Sequence, residues 1–302
     1  MVKILVSDKI DDEGVRRLKA FADVDVAVGL KPDELLSRVK DYDVLVVRSA
    51  TKVTKEVIDA GKQLKIIARA GAGLDNVDGA AAKAKGIKVL NTPEAPSIAV
   101  AELAMGLMLS WARRIPQADV GMKQGKWLKA ELMGTELRGK TLGIIGTGRI
   151  GQAVANRAKA FTMKLLFYDV VRDEEFARMV GGEYVSLDRL LSESDYVTIH
   201  VPLLPSTRSM IGKAQLALMK PTAVLVNTSR GDLVDEVALI EALREKKIAG
   251  ACLDVYSKEP PVESPLFQLP NLVLTPHIGA STHETQREAA LLIAEKIKEA
   301  IA

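Results

Sequence analysis

Short apolar runs alternate with longer polar or amphipathic segments along almost the whole chain. Strands of a parallel sheet are buried on both faces and joined by helices, so they appear in a sequence as short, continuous apolar runs. The alternation therefore predicts an α/β protein with parallel sheets. The candidate strands are residues 2–7, 24–28, 44–48, 65–70, 88–90, 141–145, 164–168, 196–201, 223–227, 250–255 and 272–275.

These strands form two sets, and we expect two domains. A chain of 302 residues is about twice the usual domain length, and one sheet holding every candidate strand would be unusually wide. Residues 97–115, apolar on nearly every face, separate the sets and are typical of a buried connecting helix, with Ser97 as the expected N-cap. A final helix is expected from about residue 282 to 302, with one apolar face made of Ala289, Ile293, Ile297 and Ile301.

Composition excludes several classes of protein. Apolar residues make up 48% of the chain and charged residues 27%, which rules out collagen-like and disordered proteins. The 42 Lys and Arg residues are balanced by 39 Asp and Glu residues, so we expect no nucleic-acid partner. Even residues 100–111 fall short of a membrane span, the start of the chain has no signal-peptide pattern, and Cys252 has no partner for a disulfide. We therefore expect a cytoplasmic protein without a membrane partner.

The strongest local motif is a glycine-rich turn at residues 140–151. A buried strand leads into Gly146, Gly148 and Gly151, in the G-x-G-x-x-G spacing that brings a dinucleotide pyrophosphate close to the backbone and to a helix N-terminus. The next strand ends at Asp169, whose carboxylate is placed to bind ribose hydroxyls and to repel the additional phosphate of NADP. NAD is therefore the expected cofactor, although the nearby Arg172 could moderate this preference.

Candidates for chemistry follow several strands of the second set. His200 and His277 each come directly after a strand, and Arg230, Asp254 and Glu259 follow neighbouring strands. The carboxyl ends of parallel strands lie at one edge of a sheet, so these side chains could converge there. Each also fits a structural role, as a turn former, a cap or a solvated loop residue. One cysteine and few histidines provide no recognisable metal site, and no G-x-S-x-G motif indicates a serine hydrolase.

The chain resembles the D-isomer-specific 2-hydroxyacid dehydrogenases over essentially its whole length. The resemblance rests on motifs at residues 47–54 (VRSATKVT), 69–78 (RAGAGLDNVD), 125–127 (GKW), 133–143 (MGTELRGKTLG), 200–207 (HVPLLPST), 227–231 (NTSRG), 253–260 (LDVYSKEP) and 275–282 (TPHIGAST). It implies two doubly wound parallel-sheet domains, with a Rossmann NAD-binding domain inserted into a flavodoxin-like substrate domain. The implied boundaries are 97–280 for the NAD-binding domain and 1–96 plus 281–302 for the substrate domain.

The resemblance also implies roles for individual residues. The implied catalytic set is Arg230, Glu259 and His277. The implied cofactor contacts are Gly146, Gly148, Arg149, Ile150, Gly151, Asp169, His200, Pro202, Thr207, Thr228, Ser229, Asp254 and Gly279. The implied substrate contacts are Arg48, Ser49, Gly71, Ala72 and Gly73, together with Arg230 and His277, while Arg69 and Arg113 are weaker candidates for binding a substrate phosphate.

Within the family, the match is closest to members that oxidise D-3-phosphoglycerate in serine biosynthesis, so a phosphorylated 2-hydroxy acid is the expected substrate. Members that act on glyoxylate, hydroxypyruvate or D-lactate share the catalytic set and remain an alternative, as does an NAD-sensing binding protein without enzymatic activity. The resemblance further implies a homodimer formed by the NAD-binding domain, with Trp127 in the segment 117–136 reaching the partner. A C-terminal regulatory domain is not expected.

Overall fold

The computed structural model describes residues 1–301, and those residues contain twelve strands and twelve α-helices. The strands are β1 Lys3–Val6, β2 Asp23–Val26, β3 Val44–Val47, β4 Ile66–Arg69, β5 Lys88–Asn91, β6 Thr141–Ile145, β7 Lys164–Tyr168, β8 Gly182–Tyr184, β9 Tyr196–Ile199, β10 Val224–Asn227, β11 Gly250–Leu253 and β12 Leu272–Leu274. The helices are α1 Asp12–Lys19, α2 Pro32–Arg38, α3 Lys55–Ala60, α4 Gly79–Ala84, α5 Ser97–Ala112, α6 Ile115–Lys123, α7 Arg149–Ala160, α8 Glu174–Val180, α9 Leu187–Glu193, α10 Lys213–Leu218, α11 Glu236–Arg244 and α12 His283–Ile301.

The chain divides into two compact units. Unit 1 comprises Met1–Ser97 and Ala280–Ala302, and unit 2 comprises Ile98–Gly279. In unit 1 a five-stranded parallel sheet has the order β2-β1-β3-β4-β5. The apolar face of α12, including Ile293 and Ile297, is buried with Ile4 and Val44 in the core on one side of this sheet.

Unit 2 is built on a seven-stranded parallel sheet of order β12-β11-β10-β9-β6-β7-β8. Apolar cores cover both faces of this sheet, because its central strands are buried on both sides. Met108 of α5 packs with Leu142 and Phe167 in one core, and Ile145 packs with Leu190 and Leu225 in the other. The expectation of an α/β protein with two parallel sheets is confirmed.

Each sheet reverses its strand order at one point, which fixes where a ligand can bind. In unit 2 the chain moves outward from β6 through β7 to β8 and then returns to the other side of β6 with β9. In unit 1 the same reversal lies between β1 and β3. Helices that leave the sheet in opposite directions open a crevice at such a point, at the carboxyl ends of the strands.

All of the predicted strands form, but β8 is a short additional strand that the sequence analysis missed. The predicted connecting helix over residues 97–115 forms as α5, which already ends at Ala112, and Arg114, in a left-handed conformation with φ of 51°, precedes the separate helix α6. The expected N-cap role of Ser97 is wrong, because α5 begins at Ser97 and its buried hydroxyl has no hydrogen-bond partner. The predicted final helix forms as α12, and its expected last residue, Ala302, lies outside the described residues.

The single cysteine, Cys252, lies in the middle of β11 and is fully buried. Its thiol contacts the carbonyl oxygen of Leu107 in α5 at 3.6 Å, and burial raises its pKa above the ordinary value for a thiol. Among residues 1–301, no helix is long and apolar enough to cross a membrane.

Candidate active site

The predicted site residues of unit 2 follow the carboxyl ends of six parallel strands. Gly146 follows β6, Asp169 follows β7 and His200 follows β9. Thr228 and Asp254 follow β10 and β11, and the segment carrying His277 follows β12. Because the strands are parallel and in one sheet, all of these positions lie at the same edge.

The turn after β6 requires glycine at two positions. Gly146 has φ of 94°, and a Cβ there would lie 2.6 Å from the carbonyl oxygen of His200. A Cβ on Gly151 would lie 2.0 Å from the carbonyl oxygen of Gly146, so α7 could not pack this closely against the turn. Gly148 is the N-cap of α7, with open space where a side chain would project, and Arg149 and Ile150 form the first turn.

Asp169 is fixed to this turn by hydrogen bonds. Its Oδ2 accepts from the backbone N–H of Thr147 at 2.6 Å and from the Thr147 hydroxyl at 3.1 Å. Its Oδ1 accepts from the backbone N–H of Val171 at 3.2 Å. The carboxylate therefore lies beside the glycine turn, as expected for a group that binds the ribose of a dinucleotide.

Two polar atoms of residues that follow the neighbouring strands β9 and β10, namely His200 Nδ1 and Thr228 Oγ1, are buried without a hydrogen-bond partner in the described part of the chain. Burial lowers the pKa of His200 to about 3, so this ring is neutral, and its Nε2 shares a hydrogen bond with Thr198 Oγ1 at 2.9 Å. Buried polar groups rarely lack a partner, so the two unpaired atoms favour a bound polar ligand.

The neighbouring predicted cofactor residues make hydrogen bonds within and between the loops after β9 and β10. The Ser229 hydroxyl donates to the carbonyl oxygen of Val201 at 2.8 Å. The Thr207 hydroxyl donates to the carbonyl oxygen of Pro202 at 2.7 Å, which closes the loop after β9. Together, the glycine turn, the helix N-terminus, the carboxylate of Asp169 and the two unpaired polar atoms fit a dinucleotide. When bound, NAD would be held by these groups.

His277 and Glu259 form a close pair. His277 Nδ1 lies 2.6 Å from Glu259 Oε2, and the other carboxylate oxygen accepts from the backbone N–H of Tyr256 at 3.1 Å. The carboxylate therefore favours the tautomer with the proton on Nδ1, which leaves Nε2 as the atom that can accept or return a substrate proton.

Asp254 holds the segment that carries His277. This carboxylate is fully buried, and its Oδ1 accepts from the Thr275 hydroxyl at 2.6 Å and from the backbone N–H of Ile278 at 2.9 Å. Its Oδ2 accepts from the backbone N–H of Gly279 at 2.8 Å. His277 itself has φ of 53°, a left-handed conformation that costs free energy in a residue with a Cβ. The hydrogen bonds to Asp254 stabilise that conformation.

Arg230 acts on the same pair through its charge. Its guanidinium donates to the carbonyl oxygen of Ser229 at 2.7 Å, and its backbone carbonyl accepts from the side chain of Asn227 at 2.8 Å. Its positive charge makes a small contribution to both pKa values: it limits the rise in the pKa of His277 and adds to the lowering of the pKa of Glu259. The structure therefore brings the three expected catalytic residues together at one edge of the sheet.

The pKa values of the pair shift in opposite directions. The hydrogen bond to Glu259 raises the pKa of His277 above its ordinary value, and burial, which lowers it, offsets only part of the rise. Burial alone would raise the pKa of Glu259, but the hydrogen bond and charge of His277 hold it below its ordinary value. Both shifts favour an imidazolium beside a carboxylate.

Two of the predicted substrate residues of unit 1 lie at the point where its sheet reverses order. Arg48 and Ser49 follow β3, and with Asp8 and Lys9 they line a cavity of about 300 Å³. Sequence analysis missed Asp8, a buried carboxylate that accepts from the backbone N–H of Arg48 at 2.6 Å and from the Thr51 hydroxyl at 2.6 Å. The sequence signal that could have identified Asp8 is its position shortly after β1, at the carboxyl end of a predicted strand.

Arg69 joins the two predicted substrate loops of unit 1. Its guanidinium donates to the carbonyl oxygen of Arg48 at 3.0 Å and to that of Gly73. The Asn91 side chain donates to the carbonyl oxygen of Ala72 at 2.6 Å, and Gly71 has φ of 152°. The structure thus places residues 71–73 beside Arg48 and uses Arg69 to brace them.

Arg113, a weaker candidate for binding a substrate phosphate, lies outside these loops. Arg113 is exposed immediately after α5, in unit 2. Residues 1–301 contain no cluster of three or more His, Cys, Asp or Glu side chains that could hold a metal ion.

Comparisons with known proteins give a consistent result. Residues 105–279 match the family model described as the D-isomer specific 2-hydroxyacid dehydrogenase, NAD binding domain. The chain is 52% identical over 302 residues to a D-3-phosphoglycerate dehydrogenase of Methanocaldococcus jannaschii, covering 100% of this chain and 58% of that protein. It is 51% identical over 299 residues to a hydroxypyruvate reductase of Thermotoga maritima, covering 98% of this chain and 97% of that protein.

A solved structure extends the likeness to the fold. The D-lactate dehydrogenase of Aquifex aeolicus, in complex with NAD and lactic acid, superposes with a TM-score of 0.88 at 30% identity, covering 99% of this chain and 95% of that one. The chain spans little more than half the length of the Methanocaldococcus relative. The expected cofactor class is confirmed by the family model.

The contact between His277 and Glu259 makes a prediction about protonation. Glu259→Gln removes the charge that raises the pKa of His277 but leaves the burial that lowers it. We expect the pKa of His277 to fall below its value in the unaltered protein, as measured by NMR titration of the ring Cε1–H. Glu263→Gln, which removes an exposed carboxylate from the same loop, is the matched control. An unchanged His277 pKa in Glu259→Gln would contradict the assignment.

Proposed function

Because the chain belongs to the D-isomer-specific 2-hydroxyacid dehydrogenase family, we propose that it oxidises D-3-phosphoglycerate to 3-phosphohydroxypyruvate with NAD, the first step of phosphorylated serine biosynthesis. The observation that carries the proposal is the 2.6 Å hydrogen bond between His277 and Glu259, beside Arg230, at the carboxyl edge of the sheet that carries the glycine turn. The phosphorylated substrate is supported by the 52% identity with the Methanocaldococcus enzyme.

The reaction needs a base, a carboxylate anchor and a hydride acceptor. Oxidation removes a proton from the substrate hydroxyl and a hydride from the carbon that bears it. When bound, NAD accepts the hydride. His277 accepts the proton at Nε2, Glu259 stabilises the resulting imidazolium, and Arg230 binds the substrate carboxylate through its planar guanidinium. In the reverse direction the imidazolium returns the proton to the carbonyl oxygen.

The raised pKa of His277 sets the pH dependence of both oxidation and reduction. Oxidation requires neutral His277, so kcat/KM for oxidation rises with pH until His277 has lost its proton. Reduction requires the imidazolium, so kcat/KM for reduction falls as pH rises through the same pKa. Since Glu259 raises this pKa, the proton donor for reduction persists to a higher pH than an ordinary histidine would allow.

The proposed substrate contacts lie in unit 1. Arg48 and Ser49 line the cavity at the reversal point of its sheet, and the loop at residues 71–73 is braced beside them by Arg69. Backbone N–H groups and a guanidinium are suited to an anionic substrate. We propose that Arg48 binds the phosphate.

A hydroxypyruvate reductase is the second candidate. The Thermotoga relative of that name is 51% identical and matches this chain over 97% of its own length. Both candidates use the same proton transfer at His277, so the presence of the catalytic residues does not separate them. The two candidates are distinguished by which substrate the protein turns over most efficiently.

Removal of the imidazole tests the chemistry. His277→Ala is expected to lower kcat by about 10²- to 10⁴-fold, the usual contribution of a general base, with little change in the NADH dissociation constant. Steady-state kinetics and NADH fluorescence titration measure the two quantities. His283→Ala, which removes a histidine of unit 1, should retain kcat. Loss of NADH binding in His277→Ala would mean that the residue has a structural role.

Removal of Arg48 tests the substrate. Arg48→Ala is expected to raise KM for D-3-phosphoglycerate by about 10- to 100-fold, the range for a charged hydrogen bond, and to change kcat far less. Arg38→Ala, an exposed arginine in unit 1, is the matched control. Kinetics with D-3-phosphoglycerate, hydroxypyruvate, glyoxylate and D-lactate supply the comparison. Higher efficiency with an unphosphorylated substrate would favour a reductase, and no turnover with any would favour an NAD-sensing binding protein.

We also propose a cytoplasmic homodimer. Support for the dimer comes from exposed apolar side chains in the segment 117–136, where Val120 is 52% exposed, Met122 57%, Trp127 76% and Met133 80%. Large exposed aromatic residues are frequent interface anchors. The cytoplasmic location is supported by the free thiol of Cys252, because a cysteine that forms no disulfide bond does not need an oxidising compartment.

A charge in this segment tests the dimer. Trp127→Glu is expected to convert the dimer into a monomer, because a carboxylate would lose its hydration inside an apolar interface. Size-exclusion chromatography with light scattering measures the mass. Val237→Glu, which alters an exposed apolar residue of α11, should remain dimeric. A monomeric unaltered protein would contradict the proposal.

A further inference from the structure

Tyr184 ends β8, the edge strand beside β7, and its ring packs towards the end of β7. The ring is half-buried and meets Phe167 edge-on, with centroids 5.4 Å apart at an interplanar angle of 60°. Its hydroxyl reaches the glycine turn, where it lies 2.7 Å from Thr147 Oγ1. Tyr184 therefore links the edge of the sheet to the cofactor site.

The hydrogen bonds around Tyr184 can run in only one direction. Asp169 is a carboxylate and only accepts, so the Thr147 hydroxyl must donate to Asp169 Oδ2. That hydroxyl has a single proton, so it must accept from Tyr184. The Tyr184 oxygen in turn accepts from the backbone N–H of Asp173 at 3.0 Å. A directed chain thus runs from the loop after β7 through two hydroxyls to the carboxylate.

This chain of hydrogen bonds determines which oxygen of Asp169 accepts more hydrogen bonds. Oδ2 accepts two hydrogen bonds from Thr147, whereas Oδ1 accepts one longer bond from Val171 N–H at 3.2 Å. Hydrogen bonds in a chain polarise one another, so the donation by Tyr184 strengthens the one that Thr147 makes to Asp169. The carboxylate is thereby held in one orientation, with Oδ1 as its less occupied oxygen.

The ring of Tyr184 has a second contact, with Arg172. The Arg172 guanidinium carbon lies 5.8 Å from the ring centroid, within the range of a cation–π interaction. An arginine close to the acidic residue of a dinucleotide site is the group that accommodates the 2′-phosphate of NADP. Arg172 lies three residues beyond Asp169, and its contact with Tyr184 holds the guanidinium on the ring.

We propose that Tyr184 is a positioning residue that sets the preference for NAD over NADP, through Thr147 on Asp169 and through the ring on Arg172. The inference rests on the proposed function only in taking the Asp169 site as the cofactor site. The hydroxyl favours NAD by orienting the carboxylate, and the ring disfavours NADP by retaining the arginine. The two effects reside in different parts of one side chain, so they can be separated by substitution.

Dissociation constants for NADH and NADPH, measured by fluorescence titration, test each part without reference to turnover. Tyr184→Phe removes one oxygen atom and keeps the ring, so we expect the NADH constant to rise by about fivefold, the effect of one hydrogen bond. The NADPH constant should change less. Tyr184→Leu removes the ring as well, and we expect tighter NADPH binding than in Tyr184→Phe. Adding Arg172→Ala to Tyr184→Leu should abolish that gain.

A double-variant cycle tests the route through Thr147. In a Thr147→Val background the chain is already broken, so adding Tyr184→Phe should leave the NADH constant unchanged. If Tyr184→Phe has the same effect in both backgrounds, the hydroxyl does not act through Thr147 and the inference fails. It also fails if the ratio of the NADPH and NADH constants is the same in Tyr184→Phe, Tyr184→Leu and the unaltered protein, because Tyr184 would then be merely structural.

Two control variants distinguish a failure of this inference from a failure of the cofactor-site assignment. Tyr42→Phe removes another tyrosine hydroxyl that donates to a carboxylate, Asp25 at 2.6 Å in unit 1, and should leave both constants unchanged. Asp169→Ala should weaken NADH binding well beyond Tyr184→Phe. If the unaltered protein binds NADH and Asp169→Ala does so equally well, the cofactor site is misplaced and the inference falls with it. Failure to turn over any hydroxy acid would leave the binding test intact and overturn only the proposed reaction.

Discussion

Parallel pairing of the strands is the constraint on which the remaining structure depends. Parallel strands must be joined by crossovers, so every carboxyl end in a sheet emerges at the same edge. In unit 2 that edge collects a glycine turn, two aspartates, two histidines and an arginine from separate parts of the sequence. The reversal of strand order between β6 and β9 opens a crevice there, and the same reversal between β1 and β3 positions Arg48 in unit 1. The chemistry is therefore a consequence of sheet topology.

In each unit a buried carboxylate fixes one loop, which carries Arg48 in unit 1 and His277 in unit 2. Asp8 follows β1 and accepts hydrogen bonds from the loop after β3, whereas Asp254 follows β11 and accepts from the loop after β12. In both cases the acid follows one strand and orders the backbone beyond the neighbouring strand. A buried carboxylate that loses these donors is costly, so each loop is stabilised in one conformation. That conformation presents Arg48 in one unit and His277, despite its positive φ, in the other.

Apolar runs predicted the sheets and the glycine spacing predicted the cofactor turn, because burial and close backbone approach restrict residue types strongly. Strand ends alone left a structural alternative for each candidate catalytic residue, and only the family resemblance implied the set of Arg230, Glu259 and His277. β8 escaped prediction because a three-residue edge strand, Gly182–Tyr184, has no continuous apolar run. The capping role of Ser97 was wrong because a serine at a helix start does not reveal where the first turn begins. The hydrogen bonds of Asp254 and Tyr184 were inaccessible for a different reason, since their partners lie far away in sequence and are defined only by the fold.

Cys252 gives unit 2 an internal reporter. Its thiol lies in the sheet against the carbonyl of Leu107 in α5, inside the core that lies beneath that helix. A thiol reagent reacts with the thiolate and needs access to the sulfur, and burial denies both in the folded state. The rate of labelling therefore measures how often α5 separates from the sheet, without any change to the sequence. Because the chain has one cysteine, the signal comes from a single place.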